Sequence, residues 1–298
     1  MRTKSVNVLG TAWNTETDEF QFELSELISL AKSLPLTKRS FLRISAKIFD
    51  PLGILTPFTI VLKCIFQSIC VEGLNWDDEL QEPYKKIWNS FPNDFTQLER
   101  IRIPRCYFIT SMKPTSTQFH SFSDASKKAF AAVIYLRSTY EDGHIETRLV
   151  AAKSRVAPIK MQTIPRLELL GALISARLSN TVMKSLSIND AIECTYWTDS
   201  TTTLQWIQND KPWKQYVQQR VQEIRQLTDK ERWRHCPGNE NPADLPSRGL
   251  SAEDLIENRL WWEGPEFLRK HESEWPNVLQ TREIDEASLR ELVKSPPH

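Results

Sequence analysis

Apolar positions change period along the chain, and the changes mark out its elements. Residues 5–22 alternate apolar and polar side chains (Val6, Val8, Phe20, Phe22) around Leu9-Gly10 and Asn14, which predicts a short β-hairpin. From Glu23 the spacing becomes helical. Leu24, Leu27, Ile28 and Ala31 mark a first helix, stopped by Pro35. Thr37 is placed to cap a second, with Phe41, Leu42, Ile48 and Phe49 on one face and Asp50-Pro51 at its end. Thr56-Pro57 reads as an N-cap with proline at the first helical position, opening a helix through Phe58, Val61, Leu62, Ile65, Phe66 and Ile69 toward Gly73. A short helix over 84–88 follows the acidic stretch WDDEL. The chain to about residue 100 is thus a small helical unit whose role reads as structural.

Past Pro104 the period shortens. Residues 107–110, 118–124 and 128–137 read as strands, and the run AFAAVIYL is continuous enough to be buried on both faces. Asp142-Gly143 predicts a hairpin turn into a strand over 145–154. A helix over 165–186 opens with proline and carries Leu167, Leu170, Leu173, Ile174 and Leu178. A strand over 193–198, a helix from Ser200 through Trp206, a polar helix over 213–227, a strand over 232–236 and a short helix near Asn241 complete the pattern. Together these predict an α/β fold with a mixed sheet and helices on its faces. The Trp-rich and charged residues after Leu250 read as a linker or docking tail.

Composition narrows the class without naming a partner. The 298 residues are 40% apolar and 26% charged, which is ordinary for a globular protein, and Lys plus Arg equals Asp plus Glu at 38 each. Only local charge can therefore point to a nucleic-acid partner. Five scattered Cys form no CxxC pair and predict no disulfide framework, which fits a reducing compartment. The most apolar run, 54–71, is broken by Lys63 and Gln67 and reads as a buried helix, not a membrane span. MRTKSVNVLG has no apolar core of the secretory type, so an intracellular location is expected.

Four acids stand where a lone charge is costly. Asp124 (FSDAS) and Asp199 (YWTDSTT) close predicted strands, Glu168 (IPRLELLGAL) lies near the start of the long helix, and Asp244 (NPADLPSRG) lies in the last one. Strand ends are where an open α/β sheet forms its crevice. Each acid alone also has a plain reading: Asp124 and Asp199 as turn or N-cap residues, Glu168 as dipole complementation, Asp244 as a first-turn acid. Four together point to a divalent-cation site. Magnesium favours oxygen donors and keeps several waters, so a few carboxylates suffice, and such a site suits phosphodiester cleavage by in-line attack of water.

Two basic stretches bear on substrate. Arg148, Lys153, Arg155, Lys160 and Arg166 lie in a stretch without acids; Lys211, Lys214, Arg220, Arg225, Lys230, Arg232 and Arg234 alternate with Trp213, Tyr216 and Trp233. Basic and aromatic residues interleaved in this way suit a nucleic-acid backbone, with Lys153, Arg155, Arg166, Lys214 and Arg220 the chosen contacts. A solvated helix face with its aromatics turned inward is the other reading of the second stretch. His235 reads as a strand-end packing residue or a proton shuttle, and no CxxC or HxxxH pair predicts structural zinc.

Read in order, FSDAS, AAKSRVAP, IPRLELLGA, YWTDSTTTLQW and WRHCPGNENPADLPSRG resemble the ribonuclease H region of Pao/BEL-type LTR retrotransposon polyproteins. VLGTAWNTETDEF, LTKRSFLRISAKIFDPLGILTP and LNWDDEL resemble the stretch joining the reverse transcriptase palm to it, and WWEGPEFL the segment leading toward the integrase. The resemblance implies a ribonuclease H-like sheet preceded by a small, mostly helical thumb or connection unit. It places the end of the palm at 1–35, the helical connection at 36–104, the ribonuclease H-like domain at 105–250 and a linker toward integrase at 251–298. It implies magnesium- or manganese-dependent hydrolysis of the RNA strand of RNA–DNA hybrids, with Asp124, Glu168, Asp199 and Asp244 as the catalytic, metal-holding acids. Neither membrane partner nor polymerase, protease or integrase site is expected. Other polyprotein segments are expected partners, and a cytoplasmic particle or the nucleus the location. Cys236 stands where an aliphatic residue is expected. The competing reading is a catalytically silent nucleic-acid-binding or scaffold remnant of a retrotransposon open reading frame.

Overall fold

Aromatic side chains at helical spacing assemble the first part of the chain, and a sheet built around AFAAVIYL assembles the second. The computed structural model describes residues 5–8, 11–186, 192–276 and 285–293. The chain divides into two units, Met1–Ser111 with Gly249–Asn258, and Met112–Arg248 with Arg259–His298.

In the first unit β1 (Ser5–Val8), β2 (Thr11–Asn14) and β3 (Glu19–Gln21) form an antiparallel sheet that β4 (Arg102–Pro104) extends. The expected Leu9-Gly10 turn lies outside the described residues. Helices α1 (Ser25–Ser33), α2 (Lys38–Lys47), α3 (Thr56–Val71) and α4 (Tyr84–Leu98) follow the predicted periodicity, and Thr37 caps α2 by accepting from the Ser40 amide. The start of α3 is capped differently from the expectation. The Asp50 carboxylate accepts from the amides of Ile54 (2.8 Å) and Leu55 (2.7 Å), and Leu55 occupies the N-cap position. Helix α4 runs ten residues beyond the predicted Trp88. It passes through Pro92 because Trp88, Phe91 and Phe95 form one buried stripe, with ring centroids 5.5 and 5.6 Å apart. Packing of that stripe outweighs the missing backbone donor. Residues 107–110, expected as a strand, are turn and irregular chain instead. A late helix, α9 (Ala252–Glu257), also belongs to this unit, contacting α3 and α4.

The second unit holds a five-stranded sheet of order β7-β6-β5-β8-β9, comprising β5 (Pro114–Ala125), β6 (Ala129–Tyr140), β7 (Ile145–Val156), β8 (Cys194–Thr198) and β9 (Trp233–His235). The first three are antiparallel, while β8 and β9 add in parallel. This is the expected mixed sheet. Every residue of β6 except Thr139 is buried, as an unbroken apolar run requires. Gly143 takes φ +82° in the β6–β7 turn, which explains the Asp-Gly pair.

The long helix α5 (Ile164–Ser185) turns a face of small residues (Gly171, Ala172, Ser175, Ala176, Ser179) to the sheet. The hydroxyls on that face are paired, Ser175 with Ser121 at 2.7 Å and Ser179 with the Tyr196 hydroxyl at 3.0 Å. Helices α6 (Thr201–Gln208), α7 (Gln215–Leu227) and α8 (Asp244–Arg248) complete the frame.

Residues after 250 are packed structure wherever they are described. In this unit α10 (Arg259–Glu263) and its neighbours lie on the sheet. The Tyr135 hydroxyl donates to the Trp261 carbonyl at 2.7 Å, Arg137 Nε donates to the Leu268 carbonyl at 2.7 Å, and Phe267 lies 4.9 Å from the Trp197 ring. The Trp-rich composition is therefore core-forming, while the expected linker residues 277–284 and 294–298 lie outside the described residues. The described cysteines are free thiols, and no described helix is long and apolar enough to cross a membrane.

Candidate active site

Parallel pairing of β5 with β8 puts two carboxyls side by side. Ser123 is the register partner of Thr198, so Asp124 and Asp199 leave the same end of adjacent strands. Asp124 is buried, 5% exposed, as the penultimate residue of β5. Burial, first, and then the Asp199 charge raise its proton affinity above the ordinary aspartate value. Asp199 is raised chiefly by burial and also by the Asp244 charge, and it takes a hydrogen bond from Asp124. Two neighbouring carboxyls cannot both ionise cheaply, which is why each raises the other's proton affinity or competes for the same proton.

Glu168 arrives from α5. It lies in the second turn of that helix, one position beyond the expected first turn, so dipole complementation does not explain it. Ser200 donates to Glu168 Oε2 at 2.5 Å and accepts from the Thr203 amide at 3.0 Å, so one hydroxyl caps α6 and holds the acid. Burial, opposed by that hydrogen bond and reinforced by Asp199, Asp124 and Asp285, raises Glu168 to about 7.

Close approach of α5 to β5 depends on Gly171, three residues after Glu168. A Cβ there would lie 2.8 Å from the Asp124 carbonyl oxygen, a distance no side chain tolerates. Gly171→Ala is expected to destabilise the fold by about 1–3 kcal/mol, the usual cost of overpacking. A urea melt showing no shift of midpoint would contradict this.

Three partners escaped the sequence reading. Ser247, on α8, donates to Asp124 Oδ2. Asn241, fully buried, donates to the Ser123 carbonyl at 3.0 Å and weakly to Asp199 Oδ1 at 3.5 Å, while its own oxygen takes the Ala243 amide at 3.1 Å. It ties the chain before α8 to both strand ends. Arg248 pairs with Asp244, whose side chain is 30% exposed. His235 sits beside the site with its ring hydrogen-bonded to the Asp199 backbone, and burial lowers its proton affinity.

The charges of Asp124, Asp199 and Glu168 act on one another, and Asp244 is the partner of Arg248 at the rim. Among the described residues, no three His, Cys, Asp or Glu side chains are arranged to hold one ion together. Their chemistry nonetheless suits a hard divalent cation. All donors are carboxyl oxygens, and neither Asp124, Asp199 nor Glu168 has a basic ion-pair partner among the described residues. The raised proton affinities supply the positive reason: the cluster lacks a neutralising positive charge that a cation would provide.

The basic residues divide. Lys153 and Arg155 are exposed on one face of β7. Arg166, Lys214 and Arg220 converge instead on Tyr216 and on residues 290–291. The Arg166 and Arg220 guanidinium carbons lie 4.7 and 3.5 Å from the Tyr216 ring centroid, Arg166 pairs with Glu291 at 2.7 Å, and Lys214 Nζ donates to the Arg290 carbonyl.

Residues 37–200, more than half of the chain, match the family model described as a Pao retrotransposon-like RNaseH-like domain. That span contains Asp124, Glu168 and Asp199 and stops short of Asp244. Among solved structures, the N-terminal RNase H domain of rv2228c from Mycobacterium tuberculosis is similar at 14% identity, over 47% of this chain and 94% of its own, with a TM-score of 0.30. LC11-RNase H1 in complex with an RNA/DNA hybrid is similar at 14% identity, over 43% and 91%, with a TM-score of 0.27. The foamy viral protease-reverse transcriptase in complex with dsDNA is similar at 12% identity over 78% of this chain and 44% of its own, with a TM-score of 0.23. No curated protein matches the chain. The match over residues 37–200, with the mixed five-stranded sheet and flanking helices, places the chain in the Pao retrotransposon RNaseH-like family.

Proposed function

We propose that the second unit is a metal-dependent endonuclease that hydrolyses the RNA strand of RNA–DNA hybrids, as a segment of a retrotransposon polyprotein. The observation that carries this reading is the Asp124–Asp199 pair, buried and half-buried side by side at the end of two parallel strands with no basic ion-pair partner among the described residues, and with Glu168 raised to about 7 beside it. Functional sites retain such unfavourable charge where purely structural networks neutralise it.

Asp124, Asp199 and Glu168 would hold the cation, with Asp244 available at the rim once it leaves Arg248. Magnesium, or manganese in its place, would supply Lewis-acid polarisation of the phosphoryl oxygens and a water of lowered pKa. The chain's own residues set the conditions. Ser247 orients Asp124, Ser200 orients Glu168, and Asn241 fixes Asp199 relative to the end of β5. Burial of the carboxyls keeps them reluctant to lose protons until a cation compensates. Lys153 and Arg155 offer exposed charge for the backbone of the nucleic acid, and discrimination of RNA would rest on the ribose 2′-hydroxyl. The first unit, with its sheet and helices, is read as the end of the polymerase palm and the connection to this domain.

A labelled RNA–DNA hybrid offered to the full chain tests this directly. Cleavage of the RNA strand in magnesium, abolished by EDTA and absent on duplex DNA, is the expected result. A folded chain that binds the hybrid and leaves it intact in both magnesium and manganese would establish the silent-remnant reading instead.

A further inference from the structure

Residues 285–293 return to the second unit and settle on its basic, aromatic surface. Asp285 Oδ2 accepts from the Thr202 hydroxyl at 2.6 Å, and its amide donates to Gln205 Oε1 at 3.0 Å, which anchors α11 (Glu286–Arg290) on α6. Thr202 is two residues from Ser200, the residue that holds Glu168, and the Asp285 charge reaches Glu168 itself. After α11 the segment adds a short antiparallel bridge, Leu292 to Trp213. The Glu291 carbonyl accepts from the Lys214 amide at 2.7 Å, and the Val293 amide donates to the Pro212 carbonyl at 2.9 Å.

The side chains in this contact are imperfectly matched. The Glu291 carboxylate takes Arg166 on Oε1 alone, while its buried Oε2 has no hydrogen-bond partner. Arg220 Nε, buried beside the same Tyr216 ring, has no acceptor. An unmet donor and an unmet acceptor in one small site cost free energy on both sides. A phosphodiester group carries more acceptor oxygens than this carboxylate presents and suits planar guanidinium forks.

We infer that Arg166, Lys214 and Arg220, arranged around Tyr216, form a site for a backbone phosphate of nucleic acid, and that residues 285–293 are its resident intramolecular occupant, with Glu291 standing in for the phosphate. This rests on the hybrid-cleaving reading of the neighbouring carboxylates and adds competition to it. Hybrid must displace the acidic segment to reach the surface beside Glu168, so occupancy of the site by the chain itself weakens substrate binding.

The test uses the full chain in EDTA, where no cleavage is expected, with a fluorescent RNA–DNA hybrid. Anisotropy should show the Asp285→Asn/Glu291→Gln double variant binding about tenfold more tightly than wild type, the scale of losing a few partly buried polar contacts. Hydrogen exchange on the wild type supplies a second readout that does not depend on how the variant folds. Amides of residues 285–293 should exchange faster when hybrid is saturating, and not when an equal concentration of an uncharged polymer is added. If hybrid binds the wild type while these amides stay protected, and the double variant has unchanged affinity, the segment is ordinary structure and the inference is overturned with the nuclease reading intact. Failure of both proteins to bind hybrid at any salt concentration would overturn both together.

Discussion

Asp199→Asn is expected to lower hybrid cleavage about 10³-fold while leaving the fold at least as stable in EDTA as the wild type. Asp124→Asn should behave alike. The activity estimate follows from removing one charged oxygen ligand from a cation that stabilises developing charge, an effect of several kcal/mol, with every 1.4 kcal/mol worth a factor of ten. The stability half follows from the geometry. Asp124, buried, and Asp199, half-buried, lie next to each other and both hold their protons more tightly than usual, so the charged pair opposes folding. Asparagine keeps an oxygen to accept from Ser247 or Asn241 and removes the like-charge repulsion. Kinetics at saturating magnesium and a thermal melt in EDTA, run on the same preparations, read the two halves separately. A variant that loses activity and more than about 2 kcal/mol of metal-free stability, the usual penalty for breaking a buried hydrogen-bond network, would mark these acids as structural partners.

What could be read from the sequence follows from what each signal depends on. The run AFAAVIYL became β6 and the leucine spacing from Leu167 became α5 because those patterns report burial directly. Asp124 and Asp199 were placed together by a topological argument, strand ends of one sheet, and the Ser123–Thr198 register puts them there. Their supporting residues were not legible. Ser247 lies 123 positions from Asp124 and Asn241 lies 118 from Ser123, and a lone serine or asparagine carries no signal of so distant a partner.

Local rules also misled where packing was strong. The short helix predicted over 84–88 was too short, because a stripe of four aromatics (Tyr84, Trp88, Phe91, Phe95) carried α4 on through Pro92. Residues 107–110 have strand-like composition but form no strand, β4 being formed by Arg102–Pro104 a few residues earlier. The tryptophans after 250 looked like a docking tail because composition alone cannot distinguish a surface for another chain from a core completed by the same chain; Trp261 and Trp275 are buried. The basic residues are the same problem in charge. Arg166 comes from one basic stretch and Lys214 and Arg220 from another, and only the fold shows that they meet around Tyr216 and residues 290–291.

Glu168→Gln is expected to change the pH dependence of stability above pH 4.5. The wild-type carboxyl is raised from 4.5 to about 7, by burial first and by the neighbouring acids after it, with Ser200 opposing. A folded-state value above the unfolded one means that the native protein binds the extra proton. Its contribution to stability is therefore complete below pH 4.5 and lost as pH climbs through about 7. At roughly 1.4 kcal/mol per pH unit, the loss amounts to about 3 kcal/mol. Glutamine cannot titrate and retains an oxygen for the Ser200 hydroxyl. In EDTA the variant should match wild type near pH 4.5 and exceed it by about 3 kcal/mol at pH 8, read from urea denaturation at each pH. Magnesium should reverse the order at pH 8, because a bound cation favours the ionised carboxylate and so stabilises wild type more than the variant. Wild type losing stability as pH falls from 7 toward 4.5, with the Gln variant flat, would mean that Glu168 is held ionised by a partner, and the cation reading of this cluster would fail with it.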